Sequence, residues 1–206
     1  MRIEHAGKQP FVDDTAWVAP TAVLSGAVRV GPRVRVLYGA VLTAEGGAEL
    51  VVGSESVIME QAVLRAAGRF PLRLGEHVLV GPHAYLTGCA VGARCFIATG
   101  AMVFNGASLG EACTVALGGK VHIDTELAGG TRVPMGWIAF GRPGRIYPPE
   151  QAPEVHEALG HLDFMRYVFG VPSEGKTRSN VMDEALRKYT RALGVHGDDK
   201  MLNRDQ

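Results

Sequence analysis

Residues 89–135 read CAVGARCFIATGAMVFNGASLGEACTVALGGKVHIDTELAGGTRVPM. An aliphatic residue recurs there every six positions without a miss: Val91, Ile97, Val103, Leu109, Val115, Val121, Leu127 and Val133. Two positions before each stands a small residue: Cys89, Cys95, Ala101, Ala107, Cys113, Gly119, Thr125 and Thr131. A period of six fits neither the 3.6 of a helix nor the simple alternation of an amphipathic strand. It is the pattern of a hexapeptide-repeat parallel β-helix, an all-β solenoid of short strands and tight turns. Three hexads make one triangular coil of about 18 residues. The aliphatic rung points to the narrow axis, the small residue fits the crowded corner, and coils stack at the ~4.8 Å strand spacing.

Working outward, the hexad starts at Val18 and runs through Leu24, Val30, Val36 and Leu42. Ten residues then pass before Val52, six plus an insertion of four around AEGGAE. Val52, Ile58 and Leu64 resume the rhythm, and a second four-residue insertion within RAAGRFPL precedes Leu74, Val80 and Leu86. One residue is missing between Leu86 and Val91, at TGCA. Loops thrown out of such corners are where function collects in a solenoid. Residues 1–15 read as a loop or edge strand leading in. The repeat ends at VPMGWIAFGRPGRIYPPE, and the composition changes beyond it. Residues 154–170 place Val155, Leu159, Leu162, Met165 and Phe169 on one helical face. Asn180 with Asp183 reads as a capping box opening a second helix, and Gly194 as its stop. The final HGDDKMLNRDQ reads as frayed. The expected organisation is therefore a β-helix over 1–148 and a two-helix extension over 149–206. The extension is expected to pack outside the solenoid or on a neighbouring subunit.

With 21 basic and 21 acidic residues the net charge is zero, which argues against nucleic acid or an anionic membrane as the main partner. No run approaches 18 apolar residues, and MRIEHAGKQP lacks an apolar signal core. A soluble, cytoplasmic protein is expected. The three cysteines all hold the small-residue position and match no zinc or redox spacing. Cys95 and Cys113, one coil apart, stack within disulfide range; free, buried thiols are expected.

The opening VAPTAVLSGAVRVG, the segment VGPHAYLTGCAVG and the closing GRPGRI before a C-terminal helix resemble the γ-class carbonic anhydrases and their relatives. The likeness covers roughly residues 10–170. It implies a left-handed β-helix, an exception to the right-handed crossover rule. It also implies a homotrimer with a metal site shared between subunits. Three histidines hold zinc or iron in the active family. Carried over, their positions are Arg65 after Leu64, Pro82 after Gly81, and Thr87 before Gly88 and Cys89. The family's bracing Arg-Gly-Asp falls at Ala44-Glu45-Gly46. Arginine does not bind a cation, proline has no donor, and one threonine hydroxyl is a weak ligand for zinc. The resemblance therefore implies a kept scaffold and a lost metal centre, with no metal and no cofactor expected.

His83, one residue from position 82, points to the other face after a one-residue slip, so it reads as a surface or pocket-lining histidine. Leu64, Leu86, Val103 and Val121 share one solenoid face, so Arg65, Thr87, Phe104 and His122 form a column. The old cleft would be lined by Arg65, Thr87 and Phe104 of one chain and by Pro82, with His83 beside it as a further candidate, of the next. Arginine there suits a carboxylate or phosphate, although it could equally fill the void and pair with Glu60 or Glu45. Hexapeptide acyltransferases share this solenoid and use a histidine near the subunit interface as general base, with CoA along the groove. His83 or His122 could be that base, with acyl-CoA as co-substrate, although an outward polar residue is ordinary. His156, His161 and His196, in or beside the helical tail, read as solvent-facing. Three readings follow: a metal-free trimer binding a small anionic molecule, an acyltransferase or thioester-handling enzyme, and a structural subunit of an assembly.

Overall fold

The structure is a computed structural model and describes residues 1–160 and 162–202. His161 lies outside the described residues, as do 203–206. The chain winds into a left-handed parallel β-helix with three faces. One face is a ten-stranded sheet, and the other two carry seven strands each. Leu24, Leu42, Leu64, Leu86, Val103, Val121 and Ala139 are successive rungs of the first face, paired one with the next. Each is fully buried. Removing a leucine side chain from water is worth about 1.5–3 kcal/mol, so a stack of such rungs is the fold's main support. Most of the small positions are as buried as the rungs: Cys89, Ala101 and Cys113 expose 2% or less.

The solenoid begins earlier than Val18. Phe11–Val12 pairs with Val28–Val30, with Val12 opposite Val30. Arg2–Glu4 pairs with Val23–Gly26 and so adds the first coil to the ten-stranded sheet. Val12 stands six residues before Val18, so the rhythm extends to it.

The two insertions become hairpin arms stacked on each other. Val41–Glu45 and Val63–Ala67 run in register, and the Gly68 N–H donates to the Glu45 carbonyl at 3.1 Å. The missing residue at TGCA is absorbed by Gly88, whose φ is +49°. A Cβ there would lie 2.4 Å from the Cβ of Phe70, so the second arm closes over a position only glycine can occupy.

The helical tail differs from expectation in three ways. The stretch 154–170 is two helices, α1 (Ala152–Gly160) and α2 (Phe164–Phe169). Asp163 enforces the break. Its side chain caps α2 by accepting from the Arg166 N–H at 3.0 Å, and it also holds the Ser173 N–H and hydroxyl at 2.8 Å. The third helix, α3 (Arg178–Leu193), opens at Thr177 rather than Asn180. Thr177 has the extended backbone of a cap, and its hydroxyl accepts from the Asn180 N–H at 3.3 Å. Gly194 ends α3 but continues into a 3₁₀ turn, Gly194–Asp198. Lys200–Leu202 is not frayed. It pairs antiparallel with Arg2–Glu4, because the first strand offers an open edge. Among the described residues no helix is long and apolar enough to cross a membrane.

Candidate functional site

The column beside the rungs is assembled by the sheet register. Arg65 lies opposite Thr87. The next coils set Phe104 and His122 on the same edge, since the pairs Leu86–Val103 and Val103–Val121 fix the register. The ring centroids of Phe104 and His122 are 6.0 Å apart, and those of His122 and Phe140 are 5.7 Å apart, edge to face. Each side chain stands outward at the end of a short strand whose inward neighbour is a buried rung.

Arg65 is held at two points. Its Nη2 donates to Glu45 Oε2 at 2.7 Å and to the Tyr189 hydroxyl at 2.6 Å. Glu45 comes from the first hairpin arm and Tyr189 from α3, so the arginine ties the arm and the helix to the solenoid face. Burial works against its charge, yet the bonds from Glu45 and Tyr189 more than offset this and hold the guanidinium above its ordinary range. Of the two acids named as partners for it, Glu45 is the one engaged and Glu60 is not. A guanidinium has five donors. Among the described residues, Nε and Nη1 of Arg65 make no hydrogen bond. The side chain keeps 25% of its surface accessible.

Thr87 is 9% exposed, and its hydroxyl donates to Asn105 Oδ1 at 2.8 Å. Pro82 is half-buried in a corner turn, and its carbonyl accepts from the Gly100 N–H at 3.0 Å. An ion-paired guanidinium, a ring with no lone pair and a hydroxyl already engaged do not make a donor set for zinc or iron.

His83 follows Pro82 in that corner, exposed, with a left-handed φ of 56°. His122 stands at the far end of its strand and two coils away, roughly 10 Å along the axis at the strand spacing. The structure therefore does not bring the two histidines together. His122 is half-buried, and burial lowers its pKa, so it is neutral at pH 7. Its Nδ1 is buried and has no hydrogen-bond partner among the described residues. His156 and His196 are exposed, but His196 is not free in solvent: it contacts Asp199 at 2.8 Å.

The cysteines are free and buried. The Cys95 and Cys113 thiols donate to the carbonyls of Gly110 and Ala128, each at 3.2 Å. Burial pushes the Cys89 thiol up to about 12 and that of Cys95 up to about 11, which removes them as nucleophiles at neutral pH.

The sequence reading missed Tyr189 and Asn105. Tyr189 lies 124 residues from its partner, and no periodicity links a helix surface to a solenoid edge. Asn105 was findable: it follows Phe104, and the hexad ruler sets it one coil below the Gly88 skip. Two depressions of the surface lie on the helical tail instead, one lined by Leu186, Arg187, Thr190 and Arg191, the other including Phe164, Met165 and Met182. Neither touches the column.

No protein-family model matches the chain. Gamma carbonic anhydrase 1, mitochondrial, of Arabidopsis thaliana is 33% identical over 145 residues, 68% of this chain and 50% of that protein. Carboxysome assembly protein CcmM of Synechococcus elongatus is 31% identical over 175 residues, 80% of this chain and 31% of that protein. The chain thus spans half or less of the length of these relatives. Among solved structures, a candidate acetyltransferase of Bacillus cereus covers 92% of this chain and 96% of that one, with a TM-score of 0.52 at 20% identity. That match speaks to the fold alone. With the solenoid, these likenesses make the chain a member of the γ-carbonic-anhydrase-like group of hexapeptide-repeat, left-handed β-helix proteins.

Proposed function

We propose that this protein is a cytoplasmic γ-carbonic-anhydrase-like trimer in which the inter-subunit cleft carries an arginine seat in place of a metal centre. It binds a small carboxylate and does not hydrate carbon dioxide. The observation that carries this reading is the state of Arg65. Glu45 and Tyr189 fix its orientation through one nitrogen, Nη2, which leaves the Nε–H and the Nη1–H groups as separate donors that can each reach a carboxylate oxygen. Because Glu45 balances the charge, recognition rests on hydrogen bonding at a pre-set angle rather than on net attraction. Thr87 and the Phe104 ring complete the chain's own side of the cleft.

Assembly is supported by the corner that carries Pro82. Tyr38, Leu117 and Met135 lie along the same edge and expose 54%, 52% and 66% of their surface, with Glu60 and Thr99 as the polar members of that edge. Leu79 and Phe96, paired on the adjoining face, expose 37% and 42%. An apolar strip of this kind on a rigid solenoid is a docking surface, and a second copy offers the matching edge.

The test is a thermal-shift series with acetate, bicarbonate and larger carboxylates on the wild-type chain and on Arg65→Met. Stabilisation of the wild type that vanishes in the variant, with both proteins running at three times the chain mass, is the expected result. A trimer that responds to none of them, or a variant that responds equally, overturns the reading.

A second reading is favoured by His122, whose neutral imidazole would suit a general base for acyl transfer from acyl-CoA. No carboxylate orients its Nδ1 among the described residues, which a base of that kind ordinarily has. Acetyl-CoA turnover lost in His122→Phe would establish this reading. Absence of a CoA-induced thermal shift would remove it, and with it any role for His83 as the base.

A further inference from the structure

Away from the column, the two ends of the described chain meet in a cluster of ligand-type side chains. His5 directly follows Arg2–Glu4, and Asp199 directly precedes Lys200–Leu202, the strand that pairs with it. His196 belongs to the 3₁₀ turn that links α3 to that strand. His5 Nδ1 lies 2.6 Å from Asp199 Oδ1, and His196 Nδ1 lies 2.8 Å from Asp199 Oδ2. The two imidazoles face each other with centroids 4.5 Å apart and planes tilted by 31°. His5 is 2% exposed, although it sits next to the chain terminus. The three ligand atoms lie within 4.8 Å of one another.

We propose that His5, His196 and Asp199 form a binding site for a divalent transition-metal ion of the zinc class, which clasps the C-terminal strand to the first coil. Two imidazoles and one carboxylate suit zinc, cobalt or nickel and disfavour magnesium and calcium, which take oxygen ligands. Bonds of about 2.0–2.2 Å around a tetrahedral ion separate its ligands by roughly 3.4 Å. The two nitrogen–carboxylate contacts, 2.6 and 2.8 Å, must therefore open by somewhat under 1 Å, and the ligand atoms that stand farther apart, up to 4.8 Å, must close by up to about 1.4 Å. These are side-chain adjustments, and the exposed turn that carries His196 can supply most of them while the buried His5 stays in place. Water completes the coordination, since the chain supplies three ligands. His5 and Asp199 are 194 residues apart, so an ion bound only by the folded chain locks α3, and Tyr189 with it, against the solenoid.

The experiment uses the full chain, stripped with chelator and titrated with Co²⁺ and Zn²⁺. One Co²⁺ per chain, with visible absorption of a nitrogen–oxygen site and a Tm that rises with Zn²⁺, is expected. His196→Ala, an exposed position, and Asp199→Asn each weaken Co²⁺ at least about tenfold, and His156→Ala, an exposed histidine of α1 outside the cluster, leaves Co²⁺ binding unchanged. The proposal is overturned if no stoichiometric ion binds, leaving the cluster a hydrogen-bonded latch only. It is overturned equally if His196→Ala binds as tightly as the wild type, or if His156→Ala abolishes binding.

Discussion

His122 and Arg65 stand in one column and have opposite electrostatic situations. His122 loses water, and its Nδ1 gains no hydrogen-bond partner among the described residues, so its charged form is disfavoured. In the unfolded chain the imidazole returns to its ordinary value, about 6.5. As pH falls through that value the unfolded chain takes up the proton first, so stability present at pH 7.5 is lost on acidification until the folded form is protonated as well. His122→Phe removes the titration and the unpaired nitrogen while keeping an aromatic ring between Phe104 and Phe140. Its melting temperature is expected to match or exceed that of the wild type at pH 7.5, with a wider margin at pH 5.5, as differential scanning calorimetry reads out. Arg65 has gained partners, and Tyr189→Phe removes one hydrogen bond at a cost of about 1 kcal/mol. For a chain of this size that is a fall in Tm of about 2–4 °C. Glu45 was one of the two acids, with Glu60, that the sequence offered as partners, and the register that stacks the two arms is what selects it. Tyr189 was not, because α3 docks by surface fit.

At the level of elements, the β-helix was legible almost to the residue, since a rung error of one position would turn a buried leucine outward. The rhythm was read only from Val18, although Val12 stands six residues earlier and pairs with the rung Val30. The helical tail was less legible. The 3.6 pattern of 154–170 is real, but Asp163 satisfies more donors as a cap and loop anchor than it could within a continuous helix. α2 is seated by Tyr167, which packs on Phe70 at a centroid distance of 5.3 Å and under Arg69. Gly106 makes room for it: a Cβ there would stand 2.0 Å from the Tyr167 hydroxyl, at a φ of +77°. Gly106→Ala is expected to expel Tyr167 and lower amide-exchange protection across Phe164–Phe169 by about tenfold or more, equivalent to at least about 1.4 kcal/mol of local stability. The solenoid amides around Val103 and Val121 should keep theirs.

For the whole molecule, the solenoid is a rigid rod with an apolar strip along one corner and an arginine-bearing column along one edge, an arrangement that a three-fold assembly would bring face to face. The central claim is that the cleft so formed holds a carboxylate seat and no metal. The most direct measurement is an anomalous difference map at the zinc edge from crystals grown with zinc. The account predicts no protein-bound zinc between Arg65 and Thr87 of one protomer and Pro82 of the partner subunit, with the Arg65–Glu45 bond intact. A zinc peak held there by protein side chains would contradict it.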